Sequence, residues 1–79
     1  MEQPTYPARV ASEVRASIAR AGVTAALVAG STGMSKATLS RKLSGSISAP
    51  FNTQELELIA RFLHVEPSSF MPPLEKVAA

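Results

Sequence analysis

One histidine, six glutamates and no cysteine are the chain's acid–base and metal-ligating side chains, and there is no aspartate. His64 stands beside Val65 at the end of an apolar run, and no nucleophile or orienting carboxylate is placed for it by spacing. At a helix end its imidazolium is favoured by the helix dipole. One histidine and scattered glutamates do not make a metal site. The glycines follow no strand and form no phosphate loop, and the serines lack a nucleophile elbow. These residues predict no enzyme, no cofactor, no metal and no small-molecule substrate. The cations are arranged differently. The acids are Glu2, Glu13, Glu55, Glu57, Glu66 and Glu75, and between Glu13 and Glu55 stand only Arg15, Arg20, Lys36, Arg41 and Lys42. The net charge is only +2, but the middle of the chain is purely basic. That distribution suits a polyanion.

Three of those cations lie in the run SKATLSRKLSG, residues 35–45. Ser35 reads as an N-cap and Gly45 as the terminator of a helix ending near Ser44. At about 100° per residue, Leu39 and Leu43 share one face of that helix. Ala37, Ser40, Arg41 and Ser44 point roughly the other way, and Lys36 projects from the first turn. Small residues at 37, 40 and 44 let the helix approach a surface closely. Arg41 can fork onto guanine O6 and N7, and Lys36 can reach a guanine or a phosphate. Ala37 and Thr38 can touch a thymine methyl. The hydroxyls of Ser35, Ser44, Ser46 and Ser48, and the first amides after Thr24, can donate to phosphate oxygens. The same face also suits an ordinary solvated helix, and the surrounding elements decide between the two.

Pro7 suits the start of a first helix, in which Val10, Val14 and Ile18 form one stripe with Ala11 and Ala21 alongside, and Gly22 ends it. Thr24 caps a second helix, AALVAGSTG, weakened by about 1 kcal/mol by Gly30 in its interior. Gly33 makes the turn into the helix of Lys36 and Arg41. In the loop SISAPF, Ile47 and Phe51 are expected to pin the chain to the core. Asn52 and Glu55 form a capping box for a fourth, most hydrophobic helix, with Leu56, Ile59, Ala60 and Leu63 as its stripe and Leu58 and Phe62 widening it. His64 and Val65 end it. Pro67 opens a fifth, one-turn helix carrying Phe70 and Met71. No strand alternation is present, so the fold class is all-α with short connections. The expected organisation is a flexible arm at 1–6, one domain at 7–72 and a tail at 73–79.

Ala29, Gly33 and Leu39 stand at the offsets A-x3-G-x5-L. A small residue at 29 lets two helices cross closely, Gly33 permits a three-residue turn, and Leu39 locks the second helix on the first. These are the steric demands of a helix-turn-helix. With GMSKATLSRKLSG and PFNTQELELIARFLHVEPSSF, the chain resembles the phage repressor and Cro-type helix-turn-helix family, also called lambda-repressor-like or XRE-like, with an actinobacterial and actinophage flavour. The resemblance covers roughly residues 8–71. It implies a five-helix lambda-repressor-like domain whose recognition helix, about 35–44, enters the major groove of double-stranded DNA. It places Lys36, Ala37, Ser40 and Arg41 at base-facing sites and Thr24, Ser35 and Thr38 at phosphate or near-groove sites. Ser44 and Ser46 are expected on phosphate. Two residues depart from the family. Ala25 stands where a contacting Gln is frequent. Lys42 stands where an apolar residue is common, and its stem is expected to cover the core edge while its ammonium reaches phosphate.

The resemblance implies a transcriptional regulator of phage Cro or repressor type, acting by occupying an operator. It allows a two-fold homodimer, at least on DNA, or a monomer, with Phe70, Met71 and Leu74 as the dimer surface. An architectural DNA-binding protein, such as a recombination directionality factor, and a protein-interaction module of the same fold are the alternatives. No apolar run reaches the ~20 residues that span a bilayer, and MEQPTYP lacks the basic and apolar regions of a signal peptide. The expected location is the cytoplasm of a bacterial host cell, associated with the nucleoid.

Overall fold

The computed structural model of the chain describes residues 5–72. They form four α-helices: α1 (Tyr6–Ala21), α2 (Ala25–Thr32), α3 (Lys36–Leu43) and α4 (Thr53–Leu63). A turn of 3₁₀ helix, Pro67–Phe70, follows, and there is no strand among the described residues. The protein is all-α. The fifth element is therefore not an α-helix. Its bonds run three residues back, from Ser69 N–H to Glu66 O and from Met71 N–H to Ser68 O, and Pro72, which has no N–H to donate, follows at once.

Each helix starts where a short polar side chain takes up a free amide. Thr24 accepts from Leu27 N–H, Ser35 from Thr38 N–H, and Asn52 Oδ1 from Glu55 N–H at 2.7 Å. Glu55 Oε1 closes the capping box by accepting from Asn52 N–H at 2.8 Å. Helix α1 begins one residue before Pro7. Thr5 is its N-cap, so residues 5 and 6 belong to the helix and not to an arm. Tyr6 Oη donates to Pro72 O at 2.8 Å, joining the start of α1 to the end of the described chain. Residues 1–4 of the expected arm, the tail at 73–79 and Leu74 lie outside the described residues.

The core holds Val10, Val14 and Ile18 of α1, Val28 and Ala29 of α2, Leu39 of α3, and Leu56, Ile59 and Ala60 of α4, with Phe70 from the 3₁₀ turn. Helix α2 packs on α3 and α4, and α1 packs on α3, α4 and the 3₁₀ turn. Phe70 is completely buried, so it cannot also serve a dimer surface. Phe51 packs on the core as expected, but Ile47 does not and is 68% exposed. Ala49 N–H bonds Ser46 O and makes 46–49 a tight turn, which carries Ile47 outward at its corner. Leu58 also falls off the buried stripe of α4.

Candidate nucleic-acid interface

Helices α2 and α3 form a helix–turn–helix in the local sense. Gly33 has a φ of 78°, a conformation that costs a side-chain-bearing residue about 1–2 kcal/mol. Met34 N–H bonds back to Ala29 O at 3.0 Å and closes the turn. Ala29 and Leu39 are both buried, as close helix crossing and locking require. The spacing that singled out residues 29, 33 and 39 therefore corresponds to a crossing, a left-handed turn residue and a core anchor.

The exposed positions within α3 are Lys36, Ala37, Ser40 and Arg41, the same four expected to face bases. Among the described residues, the side chains of Lys36, Ser40 and Arg41 make no hydrogen bond or ion pair. No carboxylate lies anywhere from Thr24 to Gly45. The face thus presents two cations, a hydroxyl and a methyl, with all its polar atoms turned to solvent.

Lys42, one residue further, is a correction. Its ammonium is 2.9 Å from Glu55 Oε1 and donates to Pro50 O at 3.1 Å. Both side chains of the pair are mostly covered. Glu55 Oε1 thereby serves the capping box of α4 and Lys42 together. Lys42 cannot reach a phosphate without abandoning that site. Lys42 lies about 60° from Leu39 on the side away from Leu43, and it turns inward because Glu55 of α4 and the Pro50 carbonyl lie on that side. The leucines alone set the inner face too narrowly.

The hydroxyls divide in the same way. Thr24 Oγ1 accepts the capping bond from Leu27 N–H and Thr38 Oγ1 accepts from the Ser35 hydroxyl; neither hydroxyl donates, so each keeps a proton for a phosphate oxygen. Ser35 spends its proton on Thr38 Oγ1 at 2.8 Å. Ser44 spends its own on Arg41 O at 2.6 Å. Ser46 and Ser48 share one bond at 2.8 Å, which leaves one proton between them. Of the expected phosphate donors, Thr24 and Thr38 fit as they stand. Ser35 and Ser44 would first have to release a bond.

Two residues that matter to this face were missed. Arg15, counted only as part of the basic middle, donates through Nη1 to Leu43 O. It places a cation at the C-terminal end of α3, where helix carbonyls concentrate negative charge. Gly45 has a φ of 81°, and a Cβ there would stand 3.1 Å from Ala8 Cα and 3.3 Å from Ala8 Cβ. It lets the end of α3 lie directly on α1. The sequence offered Gly45 as a helix terminator but no sign of this second demand. Arg15, Lys42 and Gly45 fix the C-terminal end of α3 to α1 and α4, while Ser35 and Thr38 order its start.

Among the described residues, the titratable side chains outside this unit gather into nothing comparable. His64 caps α4 in the left-handed conformation, its N–H bonding Ala60 O and Arg61 O. No group of three metal-ligating side chains occurs among the described residues. None of the described helices is long and apolar enough to cross a membrane. Comparison of the chain with protein-family models, with curated proteins and with solved structures finds no match, so the interface is read from its own geometry.

Proposed function

We propose that the protein binds double-stranded DNA sequence-specifically, with α3 in the major groove, and regulates transcription in the manner of a phage repressor or Cro. One observation carries this reading: the outward face of α3 consists of Lys36, Ala37, Ser40 and Arg41, unpaired and free of acids, on a helix held firmly from behind. A solvated surface helix needs none of that bracing. A reading head does, because base-edge hydrogen bonds demand a fixed position. The major groove is about 12 Å wide and admits one helix. Small side chains at 37 and 40 let the backbone come close. Thr24 and Thr38 then hold phosphates on either side, and the first amides of α2 add to them. On this reading the four helices and the 3₁₀ turn stand for the five helices of a lambda-repressor-type domain. No bond is made or broken, and occupancy of an operator excludes competitors.

Titration of isotope-labelled protein with duplex DNA tests this. Amide shifts at residues 24–25 and 35–41 support it. Shifts confined to the apolar groove of Tyr6, Pro50, Phe51 and Met71 would point to a protein-interaction module, and no shift at low salt would overturn the reading.

A further inference from the structure

We infer that the cognate duplex carries two guanines, one for Lys36 and one for Arg41, and that α3 reads no adenine or cytosine by a paired contact. This rests on the DNA-binding reading above and specifies its ligand. The outward polar groups of α3 are an ammonium, a guanidinium and one hydroxyl. The two cations only donate, and neither is engaged within the protein. In the major groove only guanine presents two acceptors, O6 and N7, side by side. Adenine pairs its N7 with an N6 donor, and cytosine offers an N4 donor. A strong contact to those bases comes from an amide or carboxylate, Asn, Gln, Asp or Glu, and the stretch from Thr24 to Gly45 contains none; the Ser40 hydroxyl can accept only a single bond that does not discriminate between bases. Asn52 is the nearest amide after it, and its Oδ1 is committed to capping α4. Gln54 lies on α4, outside the unit.

Spacing follows from helix geometry. Lys36 and Arg41 are five residues apart, about 7.5 Å along the axis, which matches about two base-pair steps. They sit at the two edges of the exposed stripe, with Ser40 and Ala37 between them. Ser40 accepts several partners and adds little discrimination. The Ala37 methyl favours a thymine methyl without requiring it. The recognised core is therefore short, with two G·C pairs about two steps apart and a tolerant middle.

The test is selection from random duplex DNA with the wild type and with Arg41→Gln. Gln reads adenine through N6 and N7, and residue 41 is exposed and unpaired, so the variant keeps the fold. The wild type is expected to enrich the two G·C pairs, and Arg41→Gln to convert one of them to A·T and leave the other. Replacing that guanine with 7-deazaguanine should weaken wild-type binding about tenfold. An enriched motif of A·T pairs alone, or an unchanged motif with Arg41→Gln, overturns the inference and leaves DNA binding standing. No enrichment, with no salt-dependent duplex binding, overturns both.

Discussion

Arg41 and Lys42 are adjacent, equally charged and on the same helix, yet they serve opposite sides of it. Arg41 is exposed and its side chain makes no hydrogen bond or ion pair among the described residues. Lys42 is folded inward onto Glu55 and Pro50. One step of about 100° separates a residue able to read a partner from one that holds the reader in place. The inner side of α3 is thus more than Leu39 and Leu43. It includes a half-buried ion pair to α4, and the helix end adds the Arg15 contact and the Gly45 contact to α1. On the outer side the side chains of Lys36, Ser40 and Arg41 make no hydrogen bond or ion pair among the described residues. Substitutions on the two sides should therefore fail in different assays.

The largest effect is expected at the inner anchor. Leu39→Ala should cost about 3–5 kcal/mol, a large part of the about 4–12 kcal/mol available to a domain of this size. Urea unfolding measures it, and a loss under 1 kcal/mol would mean that α3 is not anchored through Leu39. Gly45→Ala combines a left-handed backbone with a close approach to Ala8, and should lose about 2–3 kcal/mol in the same experiment. A neutral result would show that α3 and α1 can separate freely at that point. Arg41→Ala should leave urea unfolding unchanged and weaken binding to a selected duplex by about 1–3 kcal/mol, with preference relaxed at one base pair. Equal weakening on every sequence would reduce Arg41 to a phosphate contact. Lys42→Ala sharpens the comparison most. It should lower stability by about 1–2 kcal/mol, because Glu55 loses its partner in a half-buried site. The slope of log affinity against log salt should stay as in the wild type, and a slope smaller by about one unit would return Lys42 to the phosphate contacts.

What was legible in the sequence was local. Ser35, Thr24 and the Asn52–Glu55 box were readable as caps because each partner lies three residues away. Gly33 was readable because few residues other than glycine hold its backbone. The outward direction of Ala37, Ser40, Arg41 and Ser44 followed from helical periodicity once Leu39 fixed the inward direction, while Lys36 was placed by its position in the first turn. Two of the three misreadings are long-range. The Lys42 stem was expected over the core edge, but its ammonium was assigned to phosphate because Glu55, 13 residues on, was accounted for as a capping residue alone. Arg15 meets a carbonyl 28 residues away, and no pattern in the chain announces such a contact. Ile47 was taken for a core anchor because it is apolar, but the turn that contains it decides its direction.

The outer face of α3 as a DNA-binding surface is tested most directly by duplex binding at several salt concentrations. The wild type, Lys42→Ala and the double variant Lys36→Ala with Arg41→Ala are compared, each confirmed folded. The double variant should lose about a hundredfold or more in affinity for the selected duplex, while Lys42→Ala keeps the wild-type salt slope. A folded double variant that binds as tightly as the wild type would contradict the account.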